Sequence, residues 1–80
     1  MEKEPTVLEA PDLVAFALTI GIIFTPFLRS VDRKVCFKTN EDISECIQKF
    51  YSNVPVPIAD YCKNLKMVRS MIFNMKGGQR

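Results

Sequence analysis

Three cysteines, four closely spaced carboxylates and a run of lysines and arginines are the residues whose chemistry matters most in this 80-residue chain. Cys46 and Cys62 invite a disulfide that staples two helices, or else serve as a pair of small core hydrophobes. Cys36 is left over under either reading. Three thiols spaced ten or more residues apart make neither a four-thiolate zinc site nor a full disulfide framework. The chain has no histidine. This removes Ser-His-Asp and Cys-His catalysis and every zinc site that needs an imidazole. The only glycines are Gly21, Gly77 and Gly78, so no phosphate-cradling loop exists. Asp32, Glu41, Asp42 and Glu45 lie close in sequence, but nothing else converges on them, and Glu41 and Asp42 read as helix-capping chemistry. The chemistry-bearing residues therefore predict no enzyme, no cofactor and no small-molecule substrate.

The cations offer a different chemistry, attraction for an anionic surface. Residues 29–80 hold ten Lys/Arg against five Asp/Glu, and from Lys63 onward no acid occurs. Arg29, Arg33 and Lys34 form one cluster, and Lys63, Lys66 and Arg69 another. Both are candidates for contact with anionic lipid or an acidic partner. Nucleic acid is not expected, because the excess charge is modest and only Tyr61 and Phe73 stand ready to stack on bases.

The elements that must position these groups follow from hydropathy. Residues 1–12 form an acidic N-terminal segment. Residues 13–28, from Leu13 to Leu28, carry no charge and only two hydroxyls, Thr19 and Thr25. A helix apolar all round must be buried on every side. At about 1.5 Å per residue it is roughly 24 Å long, short of a ~30 Å hydrocarbon core but within reach of bilayer thinning. It therefore reads as a transmembrane helix, packing on neighbours through Ala15, Ala17 and Gly21. Asp12 after Pro11 is its expected N-cap. The cations that follow place the C-terminal half on the cytoplasmic or matrix side.

Residues 29–39 read as a basic connector, with Val35-Cys-Phe37 a short extended piece. Residues 40–76 read as an amphipathic helical hairpin. Its first helix is capped by Asn40 and carries Ile43, Cys46, Ile47, Phe50 and Tyr51 at helical spacing. Val54-Pro-Val-Pro57 is a stiff bridge. The second helix runs from about Ile58 to Met75, with a stripe of Ile58, Tyr61, Cys62, Leu65, Val68, Ile72 and Met75. Gly77-Gly78 ends it, and residues 77–80 are a tail. The expected fold class is all-α, one transmembrane helix followed by that hairpin.

Lys3-Glu4-Pro5, Leu13-Val14-Ala15, Ile20-Gly21 and Pro55-Val56-Pro57 before Asp60 together resemble the single-span accessory subunits of mitochondrial NADH:ubiquinone oxidoreductase (complex I). The resemblance covers about a dozen scattered positions and carries over no functional residue. It implies a non-catalytic subunit without a redox centre, partnered by other subunits of a respiratory complex in the mitochondrial inner membrane. A second expectation stands beside it. In that one the chain is a soluble all-α binding or regulatory protein that dimerises through residues 13–28, and its basic C-terminal helix engages an acidic partner.

Overall fold

The apolar run does not stay helical. A computed structural model describes residues 5–77 and places a helix, α1, at Pro11–Thr19, with Pro11 at its first position. Ile20 is the C-cap, and Gly21 follows at φ +104°. The Ile22 amide donates to the Ala17 carbonyl (2.9 Å) and the Gly21 amide to Leu18 (3.1 Å). Those two bonds are a Schellman closure, which needs a left-handed residue at the position of Gly21. Gly21 is thus a helix terminator and not a packing position within a helix. A Cβ there meets no neighbouring atom, so the cost of one is purely local strain. Gly21→Ala is expected to destabilise the chain by about 1–2 kcal/mol, read as a lower urea midpoint with an unchanged slope.

Beyond the break the chain turns into strand. The elements are β1 (Thr6–Leu8), then α1, then β2 (Thr25–Arg29), β3 (Lys34–Thr39), α2 (Ser44–Tyr51) and α3 (Ile58–Met75). The three strands form one sheet in the order β1-β3-β2, with both pairings antiparallel. β1 and β2 therefore run parallel, linked by α1 and parted by β3, a split β-α-β arrangement. Phe37 lies opposite Leu8 on one side and Pro26 on the other.

The expectation of an all-α chain with a transmembrane helix over 13–28 is thereby corrected. The fold is mixed α/β, three helices on a three-stranded antiparallel sheet, and among the described residues no helix is long and apolar enough to cross a membrane. The physical reason lies in β3. Lys34-Val-Cys-Phe-Lys-Thr holds a short apolar run, Val35, Cys36 and Phe37, all three buried between exposed lysines, the pattern of a short central strand, though the charges around it suggest a connector. Its Val35 and Phe37 supply the apolar cover that an all-apolar helix needs. They join Val14 and Ala15 of α1 and Val68 of α3 in one buried cluster, with Leu8 and Leu28 against it.

A second cluster completes the burial of α1. Phe16 and Ala17 pack on Ile43 and Cys46, and the Phe16 ring meets Phe50 edge-on at 5.5 Å. All of Leu13–Ala17 is buried, with Val14, Ala15 and Ala17 at 0% exposure. Ala15 thus sits against α3 and the sheet, and Ala17 against α2. The burial of Leu13–Ala17 is met within one chain, while Ile20 and Ile23 of the same apolar run stay 38% and 74% exposed.

The helical hairpin is corrected as well. α2 and α3 do not fold mainly on one another, because each spends its apolar face on α1. α3 covers the range that its periodicity predicts, but α2 starts at Ser44, four residues beyond Asn40. Asp42 sets that start by accepting from the Ser44 amide (3.0 Å) and hydroxyl (2.7 Å). At the other end, Asn53 takes φ +59° and the Val54 amide donates to Lys49, a second Schellman closure. Gly77 ends α3 at φ +72°; Gly78, the rest of the tail and Lys3-Glu4 lie outside the described residues. Asp12 does not cap α1, whose N-cap is Ala10. Thr19 donates its hydroxyl to the Ala15 carbonyl (2.7 Å) and accepts from the Asn64 amide (3.0 Å), tying α3 to α1. The whole measures 38 × 38 × 17 Å, a thin two-layer body of sheet and helices.

Candidate interaction surface

Strand alternation divides the sheet into two faces. Leu8, Leu28, Val35 and Phe37 look toward the helices. Val7, Phe27, Arg29, Lys34, Cys36 and Lys38 look away. On this outer face the cations are occupied. The Arg29 guanidinium donates to Asp32 (2.7 Å) and to Glu9 (2.8 Å), and Lys34 stands 4.0 Å from Glu9. Lys38 lies over the Phe27 ring, 5.6 Å from its centroid. Arg33 is exposed in the β2–β3 turn, at φ +59°. The cluster Arg29, Arg33 and Lys34 is therefore largely an internal clasp. Glu9 reaches Arg29 from the segment between β1 and α1, and Asp32 reaches it from the turn.

The clasp has a measurable signature. Hydrogen bonding from Arg29, more than any other cause, pulls the Asp32 carboxyl down to about 2, and the guanidinium is raised in turn. A depressed folded pKa means that the contact contributes above the unfolded value of about 3.9 and is lost as pH falls through about 2. Carboxyl-carbon NMR should follow Asp32 to that low midpoint. Arg29→Gln should return it toward the ordinary carboxylate range.

The remaining carboxylates and thiols do not gather into a site. Among the described residues no three Cys, Asp or Glu side chains are placed to hold a metal. Glu45 stands 3.7 Å from Lys49, and Glu41 accepts from the Ile23 amide at 3.4 Å. An open groove of about 340 Å³ runs past Ile23, Thr25, Lys38 and Glu41. Its Thr39 hydroxyl is already spent as acceptor for the Glu41 amide (3.1 Å). All three cysteines are free. Cys46 is buried, and burial pushes its thiol pKa up, which keeps it protonated. Cys62 is exposed on the far side of α3, so Cys46 and Cys62 form neither a bridge nor a core pair.

α3 presents the contrasting surface. Its inward positions, Tyr61, Leu65, Val68, Ile72 and Met75, pack on the core. Burial raises the Tyr61 phenol pKa, and the nearby Asp12 adds to the effect. Opposite that stripe stand Cys62, Lys63, Lys66, Arg69, Ser70 and Phe73, all exposed. At 100° per residue the three cations cross the outward face obliquely, three residues apart. No ion pair engages Lys63, Lys66 or Arg69 among the described residues, whereas Arg29, Lys34 and Lys49 each have a carboxylate. Asp60, at the first turn, is the only acid of the helix.

Ile58 and Cys62, both expected in the buried stripe, are exposed instead, and Phe73 is exposed beside them on the outward side. Ile58 is 69% exposed and Phe73 58% exposed. The main stripe of α3 is satisfied without them. The signal for them is an apolar line, Ile58, Cys62 and Phe73, rotated away from the axis through Val68. No family model, no curated protein and no solved structure matches this chain.

Proposed function

We propose that this chain is a non-catalytic binding module that docks an acidic protein surface through the outward face of α3. The observation that carries the reading is the contrast in pairing. Lys63, Lys66 and Arg69 stand exposed without a carboxylate among the described residues, while Arg29, Lys34 and Lys49 are paired. Three like charges on one rigid helix repel each other mildly and attract an acidic surface strongly.

A second copy is a poor occupant. Glu9, Asp32 and Glu45 are engaged by cations, and Glu41 by the Ile23 amide. Anionic lipid is also less suited. An interfacial helix enters lipid by its apolar stripe, and here that stripe is used inside the fold. A membrane-embedded accessory subunit loses the span that carried that reading, since residues 13–28 are divided between α1 and β2.

The test is binding of polyglutamate to the full chain across a salt series. Affinity should fall steeply from about 0.1 M to about 1 M salt, as the screening length drops from about 10 Å to about 3 Å. Equal or tighter binding to phosphatidylserine vesicles or to a DNA duplex would replace the acidic protein with lipid or nucleic acid. Absence of polyglutamate binding at the lowest salt would remove the proposal.

A further inference from the structure

β1 is the most lightly held strand of the sheet. It pairs with β3 alone, and only along Phe37–Thr39, whereas β2 pairs along Lys34–Lys38. None of its three residues is buried, and Val7 is 43% exposed. Leu8 is the one apolar side chain it lends to the core. Elements with so little buried surface open first, at a cost below that of complete unfolding.

Glu9, the next residue, fastens the strand. Its carboxylate lies 2.8 Å from the Arg29 guanidinium on β2 and 4.0 Å from the Lys34 ammonium on β3. One side chain thus ties the end of β1 to both other strands. Because β3 lies between β1 and β2, the Glu9–Arg29 pair must cross over it. Continuing the β1 register by one residue puts Glu9 beside Cys36, which has Phe27 on its other side. The helices pack against the opposite face of the sheet, yet Cys36 is at 0% exposure. What remains on this side to cover it is the crossing ion pair and the Phe27 ring.

We propose that β1 is a detachable strand latched by the Glu9–Arg29 pair, and that its release uncovers the Cys36 thiol and one edge of β3. α1 is anchored separately, since the Val14 amide donates to the Ala10 carbonyl (3.1 Å) and Leu13–Ala17 are buried. β1 can therefore leave while α1, β2 and β3 keep their packing. An exposed ion pair is weak and screened by salt, so the latch holds by a small margin. The device is independent of docking at α3.

Trace alkylation with iodoacetamide, quantified at each cysteine by peptide mass spectrometry, tests the latch on the full chain. Cys62 is exposed and sets the unhindered rate. Cys36 should label more slowly, at a rate that scarcely rises in low urea, because release exposes only the small surface of β1. Glu9→Gln removes the latch and leaves the Arg29–Asp32 contact in place. That variant should label Cys36 about two- to tenfold faster, the range for losing one or two exposed ion pairs. Hydrogen exchange at the protected amides of Thr6–Leu8 should speed up by the same factor. A Cys36 rate that climbs with urea as steeply as global unfolding would mean that the thiol is reached only in the unfolded chain, and would overturn the inference. So would an unchanged Cys36 rate in Glu9→Gln. Faster labelling with unchanged exchange at Thr6–Leu8 would confine the change to side chains and overturn release of the strand.

Discussion

Phe37→Ala should destabilise the chain by about 3–5 kcal/mol, the cost of emptying a well-packed aromatic site. Phe37 is 1% exposed at the centre of the sheet, between Leu8 and Pro26 and beneath Val14, Ala15 and Val68. Small domains hold roughly 0.05–0.15 kcal/mol per residue, so this one change removes a large part of the stability of an 80-residue chain. The urea midpoint should fall by about 1–5 M, or the variant should be unfolded without denaturant. Phe73→Ala is the control. That ring is on the outward face of α3, and its loss should move the midpoint little. If residues 29–39 were only a connector, Phe37 and Phe73 would cost the same small amount.

The second large effect concerns binding. Lys63→Glu/Lys66→Glu/Arg69→Glu should bind polyglutamate with a loss of roughly 1–6 kcal/mol, about tenfold at the low end. Each reversal removes an exposed attraction of about 0.2–1 kcal/mol and installs a repulsion of similar size. The fold should survive, because none of the three side chains joins an ion pair among the described residues. Reversing Arg29 offers the opposite profile. It breaks the clasp with Glu9 and Asp32, so it should lower stability while leaving the affinity for polyglutamate nearly intact.

Part of this architecture is legible in the residues alone. The 3.6-residue period from Ile58 to Met75 yields α3 with the bounds observed, since a long amphipathic stripe is a strong signal. Val35-Cys-Phe37 is legible as extended chain. Residues 13–28 mislead because hydropathy averages over the break at Gly21 and records helix and strand as one apolar run. β2 holds Pro26, which argues against helix, but its five residues are too few to show a period of two. β1 is only three residues long and sits in an acidic context, so nothing marks it before β3 is known to pair with it.

The candidate site divides along the same line. The lysines and arginine of α3 are plain in the sequence, because charge on a periodic helix declares its face. The difference between them and Arg29 is not, because the carboxylate that engages Arg29 from Glu9 is twenty residues away and arrives through the fold. Ile58 and Cys62 belong by spacing alone to the buried stripe. Only the position of α1, which covers the side of α3 around Val68, turns them outward.

The most direct measurement is a ¹H–¹⁵N correlation titration of the full chain with polyglutamate. Shift changes should concentrate at Cys62, Lys63, Lys66, Arg69, Ser70 and Phe73, and leave Val14, Phe37 and Val68 in place. Changes centred instead on Arg29, Lys34 and Lys38 would put the docking surface on the sheet and contradict the account.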